Sequence, residues 1–294
     1  MSSTMFGVPV SVIILTYNEE VNIRHCLESV KYLSAEIFVV DSFSTDKTLE
    51  IAQEYTPHIY QNVWVHWAHQ RNWALDNLPL SHDWVLFLDA DERLTPELGA
   101  EMADTLARPQ PQMAGYFIRR NFYFLGRWLK HGGYQADYVL RLVQKTRAHS
   151  VGSGAREYVT VTGKLGRLEH PMIHEDKKGL SAWIDKHNCL ADLEARETLN
   201  LKADQGLSSQ MAGQGGQKIE HGTKIWLREK VWVRMPPLLR PLFYFGYRYI
   251  FQLGFLDGKE GLIYCFLHGF WYPFLVDSKY LELKKFKEAA ALPK

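Results

Sequence analysis

A mostly parallel α/β sheet flanked by helices is the fold class this 294-residue sequence predicts. Three observations lead there. Short apolar runs alternate with stretches of helical periodicity through the first hundred residues, a pattern that builds parallel sheets covered by helices on both faces. Each run ends in a polar cluster, and sheets of this kind bind ligands at their strand carboxyl ends. The third is Trp84-Val85-Leu86-Phe87-Leu88, which closes on Asp89-Ala90-Asp91. Burying charge without a partner is costly, so a buried strand has no reason to end in two unpaired carboxylates. Facing a crevice, they can hold a divalent metal through oxygen ligands. An acidic cap on the next helix is the alternative role.

The elements follow in order. Val10-Ser11-Val12-Ile13-Ile14-Leu15 reads as a strand that ends at Thr16-Tyr17-Asn18-Glu19. Asn18 is expected to cap the following helix, whose buried stripe is Ile23, Leu27 and Val30. Glu36-Ile37-Phe38-Val39-Val40 is a second strand ending at Asp41. Ser42-Phe43-Ser44-Thr45-Asp46 opens a second helix with Leu49, Ala52 and Tyr55 inward. A short strand is expected over 58–62 and a helix over 68–76 that carries Gln70-Arg71-Asn72. The strand at 84–88 and a helix at 96–106 complete this half.

Beyond Gly115 the pattern becomes irregular, with strands expected at 116–119, 138–143 and 157–161 and a long amphipathic helix at 180–199. Residues 205–223 are rich in Gly, Ser and Gln and are the best linker candidate. The expected division is therefore 1–204, a linker at 205–223, and a C-terminal region at 224–294.

Hydrophobic content of 46% and charged content of 23% suit an ordinary globular protein, and the net charge of +1 argues for no nucleic-acid partner. That balance conceals an asymmetry: 224–294 carries twelve Lys/Arg against six Asp/Glu and holds 17 of the 39 aromatic residues. Basic and aromatic together suggest an anionic membrane surface. A hydrophobic subdomain or a dimer interface is the other reading, and a homo-oligomer would follow from the latter. The apolar stretches 241–256 and 261–276 are each shorter than the roughly 20 residues that span a bilayer comfortably, so interfacial or re-entrant helices are expected. Cys26, Cys189 and Cys265 suggest neither a disulfide framework nor a zinc knuckle. No charged leader precedes an apolar segment at the N-terminus, so the expected setting is the cytoplasmic side of the inner membrane, peripheral or monotopic.

Thr16-Tyr17-Asn18-Glu19, Asp41-Ser42-Phe43-Ser44-Thr45-Asp46, Gln70-Arg71-Asn72 and Asp89-Ala90-Asp91, in this order and spacing, resemble the motifs of the glycosyltransferase family 2 enzymes. The resemblance covers residues 8 to about 100 and implies the GT-A fold. Gly132-Gly133-Tyr134, Arg141-Leu142 and His174 further resemble the lipopolysaccharide-core glucosyltransferase branch. The resemblance implies an inverting hexosyl transfer from a nucleotide-diphosphate sugar, UDP-linked, to a membrane glycolipid or surface polysaccharide.

The chemistry agrees with that expectation. A diphosphate leaving group accumulates negative charge, which Mg2+ or Mn2+ held by Asp89 or Asp91 can neutralise. His174 is a third candidate ligand or else a structural histidine. Arg71 can add a bidentate phosphate contact or form a surface ion pair. Asp41 is implied to accept from the base's imide, Tyr17 offers a ring face to the base, and Thr16 and Glu19 lie close to the nucleoside. Gln70 and Ala90 complete the implied nucleotide site. Inverting transfer also needs a general base. Glu157 is favoured from its order after Arg141; Asp176, in His174-Glu175-Asp176, is the alternative. Two rivals keep the fold: a polyprenyl-phosphate glycosyltransferase, and a non-catalytic membrane scaffold. A nucleotidyltransferase is disfavoured, because no Gly-rich phosphate loop with a basic residue lies near the N-terminus.

Overall fold

The computed structural model describes residues 7–33, 36–108, 110–134, 137–152, 157–203 and 235–290. The chain divides into two compact units, Met1–Leu129 with Tyr134–Gly179, and Lys130–Gly133 with Leu180–Lys294.

The first unit is the expected α/β sheet. Its elements are β1 (Val10–Thr16), α1 (Ile23–Val30), β2 (Glu36–Asp41), α2 (Thr48–Gln53), β3 (Ile59–Gln61), α3 (Trp67–Asn77), β4 (Trp84–Asp89), β5 (Glu92–Leu94) and α4 (Pro96–Ala107). There follow β6 (Met113–Phe124), β7 (Arg127–Trp128), β8 (Tyr138–Gln144), β9 (Ala148–Val151), β10 (Tyr158–Val161), β11 (Lys164–Arg167) and β12 (Met172–Glu175). The main sheet runs β3-β2-β1-β4-β8-β6-β12-β5, with β7 and β11 also paired to β6. Strands β3, β2, β1 and β4 are mutually parallel, while β8 returns antiparallel against β4.

Alternation within β1 shows why both faces are covered. Val10, Val12 and Ile14 enter one core with Ile23 and Leu27 of α1 and Leu98 and Met102 of α4. Ile13 enters the other with Phe38, Phe87 and Ala74 of α3. Successive side chains of a strand point to opposite faces, so a strand apolar on both faces is stable only between two layers.

Register then sets the site. Thr16 pairs with Asp41 across β1–β2, and Leu15 pairs with Asp89 across β1–β4. Parallel strands in this register end together, so the polar clusters share one edge.

Several local expectations need correction. Asn18 does not cap α1, whose N-cap is Asn22. Asn18 instead takes a left-handed φ of 50°, and its Oδ1 accepts from Thr45 N at 2.8 Å, stitching two loops together. Helix α2 starts later than expected, and Asp46 accepts from Thr48 N at 3.0 Å at its start. The strand expected at 116–119 extends over all of β6, while β5, β7, β9, β11 and β12 carry no signal in the sequence pattern. They are short and owe their existence to cross-strand partners rather than to their own periodicity. The linker expected at 205–223 lies outside the described residues.

The second unit is helical. It holds α5 (Gly179–Ala203, from Leu180), α6 (Arg240–Gly246) continued by a π-helical turn at Tyr247–Phe251, α7 (Gly258–Phe266) continued by a second at Leu267–Trp271, and α8 (Tyr272–Ala290). Residues 252–257 reverse the chain between α6 and α7, with Leu253 at φ 58°. Among the described residues no helix is long and apolar enough to cross a membrane.

Candidate active site

The site is built at the carboxyl edge of β1, β2 and β4. Asp41 is fully buried at the end of β2. Its carboxylate accepts from Ser44 N at 2.9 Å, Ser44 Oγ at 2.5 Å and Gln61 Nε2 at 3.1 Å. Gln70 is equally buried, donates to Ser42 Oγ at 2.7 Å and Asn62 O at 3.0 Å, and so braces the loops after β2 and β3. Thr16 is buried with its Oγ1 lacking a hydrogen-bond partner among the described residues. Tyr17 next to it is 55% exposed, leaving its ring open at the edge. The Ala90 methyl packs into the core beneath the sheet edge.

Asp89 is held by arginines. Arg71 Nη2 lies 3.3 Å from its Oδ1, and Arg141 donates to its Oδ2. Burial would raise the Asp89 pKa, but Arg141 and then Arg71 overcome that and hold it at about 2. Arg141 also donates to Glu92 Oε1 at 2.7 Å, and Glu92 Oε2 accepts from Asp89 N at 3.1 Å. Arg120 flanks Glu92 at 3.5 Å and pairs with Asp137 at 2.8 Å. Glu92 is fully buried. Buried charges persist only when paired and hydrogen-bonded, and this group fulfils that condition around the turn carrying Asp89 and Asp91.

Asp91 faces a different partner. Its Oδ2 lies 3.3 Å from His174 Nε2, and its backbone oxygen accepts from Glu175 N at 2.9 Å. Pairing of β12 with β5, which sets His174 opposite Glu92, brings this about. Burial disfavours a charged imidazole at His174, yet the Asp91 carboxylate overrides it and raises the pKa. The Phe122 ring meets His174 edge-on at 5.3 Å and stacks on Tyr134 at 4.9 Å.

Glu19 and Asp176 lie together. Asn22 Nδ2 donates to Glu19 at 2.8 Å and to Asp176 Oδ1 at 3.0 Å, and Lys178 pairs with Glu19. Lys178 N also donates to Asp176 Oδ1 at 3.0 Å. Burial, reinforced by the charge of Asp91, pushes the Glu19 pKa up to about 7.

Glu157 stands elsewhere. Its side chain is only 4% exposed, accepts from Ala68 N in the first turn of α3, and lies 3.2 Å from the His66 ring. A carboxylate at a helix N-terminus satisfies backbone donors that have no intrahelical partner. The residues 154–156 that precede it lie outside the described residues.

The structure thus brings Asp91, His174, Glu19 and Asp176 into one neighbourhood, and Arg71 with Asp89 into an adjoining one. Arg141, Glu92, Arg120, Asn22 and Lys178 complete the site; of these the sequence supplies only Arg141, as part of the Arg141-Leu142 resemblance and with no role attached. Arg141 and Glu92 do carry a signal, a charged residue inside or just after an apolar strand.

Among the described residues no group of three or more His, Cys, Asp and Glu side chains could hold a metal by itself. Asp91 and His174 supply one carboxylate oxygen and one imidazole nitrogen. His174 Nδ1 is buried with no hydrogen-bond partner among the described residues, while Nε2 points at Asp91. Two protein ligands completed by diphosphate oxygens suit Mg2+ or Mn2+, which usually bind through few side chains plus substrate phosphates. The donor set therefore fits such an ion at Asp91 and His174, with Asp89 committed to arginines.

Comparison with known proteins agrees with the motifs. Residues 11–162 match the model of glycosyl transferase family 2. The lipopolysaccharide core biosynthesis glycosyltransferase LpsC of Rhizobium meliloti (strain 1021) is 26% identical over 268 residues, covering 88% of this chain and 90% of that protein. The glycosyltransferase RP128 of Rickettsia prowazekii (strain Madrid E) is 37% identical over 198 residues, 64% of this chain and 67% of that one. Among solved structures, glucosyl-3-phosphoglycerate synthase from Mycobacterium tuberculosis, crystallised with Mn2+ and UDP-glucose, aligns with a TM-score of 0.43 at 16% identity, over 64% of this chain and 77% of that one.

Proposed function

Because the chain belongs to glycosyl transferase family 2, we propose that it moves a hexose with inversion from a UDP-sugar to a membrane glycolipid or growing surface polysaccharide, of the lipopolysaccharide-core type. The observation that carries this reading is the Asp91–His174 pair beside an arginine-held Asp89 at the carboxyl edge of a parallel sheet. The kinship with LpsC supports the acceptor class.

In this reading Tyr17 stacks on the base, Asp41 accepts from its imide, and Thr16 and Glu19 meet the ribose. Asp91 and His174 would hold Mg2+ or Mn2+, which when bound neutralises charge on the departing diphosphate. Arg71 orients that diphosphate while it keeps Asp89 ionised. We assign the general base to Asp176 and give Glu157 a structural role at the start of α3. The Asp176 carboxylate is half-buried two residues beyond His174, with its hydrogen bonds gathered on Oδ1. The Glu157 carboxylate is committed to the start of α3. Asp176 takes the proton from the acceptor hydroxyl as the oxygen attacks the anomeric carbon, and the nucleotide leaves from the opposite face.

The test is calorimetric UDP binding with and without Mn2+, followed by transfer from radiolabelled UDP-sugars to core oligosaccharide. The absence of both binding and transfer would overturn the reading. Transfer to polyprenyl phosphate in place of core oligosaccharide would move the acceptor to that class. UDP binding without any turnover would leave a scaffold. The proposed place of work is the cytoplasmic face of the inner membrane; among the described residues no helix is long and apolar enough to cross it.

A further inference from the structure

The C-terminal helical unit buries several charged side chains while it exposes large apolar ones. Arg248, Asp257 and Asp277 are buried within it, while Phe251 is 78% and Phe243 65% exposed. The inward charges are fully engaged. Arg248 donates to Gly132 O at 2.8 Å and meets His268 Nδ1 at 2.8 Å. Asp257 accepts from His131 N at 2.8 Å and pairs with the His131 ring at 2.9 Å. Asp277 accepts from Leu238 N at 3.0 Å and Arg240 Nε at 2.8 Å.

The outward side is apolar on both limbs. Phe243, Tyr247 and Phe251 recur every four residues on α6 and its π turn, so they line one face. Leu262 and Phe266 do the same on α7, and Phe266 continues into a ladder of Phe270 and Phe274 at 5.4 and 5.5 Å. Between 241 and 256 the single charged residue is the buried Arg248, and 261–276 has none. Water favours the opposite arrangement, whereas in lipid ionisable groups turn inward and pair.

We propose that this face docks on one leaflet of an anionic bilayer, with α6 and α7 lying flat in the interface. Length and the turn both favour lying flat. Arg240–Phe251 extends about 18 Å as a helix, too short to span. The reversal at 252–257 is clasped by the Lys130–Gly133 segment, with Gly132 N donating to Gln252 O at 2.8 Å, so among the described residues the broad side is the one left exposed. Charge selects the occupant. Residues 224–294 carry twelve basic against six acidic residues, and Lys285 and Lys287 are exposed near the end of α8. Anionic headgroups complement that excess, whereas a second copy would bring like charges together. The inference names the membrane partner of the acceptor reading above, but its evidence is independent of the donor site.

The test uses the full chain and vesicle flotation. Native protein is expected to float with vesicles containing phosphatidylglycerol and much less with phosphatidylcholine alone. The double variant Phe243→Ser/Phe251→Ser, altered only at exposed positions, should lose vesicle partitioning by on the order of tenfold or more. A fluorophore on Tyr247→Cys, in a Cys189→Ser background, should shift to the blue when phosphatidylglycerol vesicles are added. No flotation of native protein, equal flotation on both lipids, or a double variant that floats as the native chain does would overturn the proposal. So would a native dimer in solution that the double variant splits, since the face would then belong to a second copy. UDP calorimetry on both proteins separates the two readings. Loss of UDP binding in native protein would count against the donor site, and flotation alone decides the bilayer contact.

Discussion

His174 Nε2 stands 3.3 Å from Asp91 Oδ2, although 83 residues separate the two in the chain. Neither lies on a strand of the parallel half. The contact exists because β12 pairs antiparallel with β5 immediately after the Asp89-Ala90-Asp91 turn.

His174→Ala removes one of two protein ligands to the proposed ion. The expected outcome is UDP affinity in Mn2+ lowered by roughly 10–100-fold, from the size of effect that perturbing a metal site has, with little change in metal-free UDP affinity. Asp91→Asn should abolish turnover. Isothermal calorimetry with and without Mn2+ checks the first, and a transfer assay checks the second.

Arg141→Met leaves Asp89 and Glu92 without their shared partner, and Glu92 is fully buried. Removing one member of a buried ion pair costs about 3–5 kcal/mol. Urea unfolding of the variant should show that loss, and Arg141→Lys should recover only part of it, because the shorter side chain places a strongly hydrated ammonium where the weakly hydrated planar guanidinium lies buried.

Asp176→Asn and Glu157→Gln separate the two carboxylates. Asp176→Asn is expected to lower kcat by about 100-fold or more with UDP affinity preserved, as loss of a general base does. Glu157→Gln should retain turnover and lower the stability of α3 by roughly 1–2 kcal/mol, the worth of a helix-terminal contact. The reverse result in single-turnover assays would return the base to Glu157.

The C-terminal unit should weaken in acid. Burial, with Arg248 and His187 adding to it, pushes the His268 pKa down to about 3, and burial pushes His187 down to about 4. Both fold as neutral imidazoles from an ordinary value of 6.5. The unfolded chain therefore binds more protons in this window. Stability is fully present above pH 6.5 and is lost as pH falls through 6.5 towards 4 and 3. Denaturation midpoints measured down that range should decline, and His268→Phe should flatten the decline.

The parallel half is legible in the sequence because its signals are local. Apolar runs such as Val10–Thr16 and Trp84–Asp89 end at the residues that line the site, and a strand's own residues determine where its carboxyl end falls. That is why Thr16, Asp41 and Asp89 can be grouped from the order of residues alone. The role of Asn18 is not legible, because a left-handed residue bonding across to Thr45 leaves no periodic trace.

What the sequence by itself determined was the fold class, the order of strand ends and the chemical types gathered there. Tertiary structure alone decided which charges meet. Arg141 reached Asp89 across 52 residues, Glu157 reached α3 across 89, and His174 reached Asp91 through the register of a four-residue strand. A register shift of one residue would turn every side chain of that strand to the other face. Pairing register depends on the packed neighbours of a short strand and not on its own pattern of residues, so only the assembled sheet could select it.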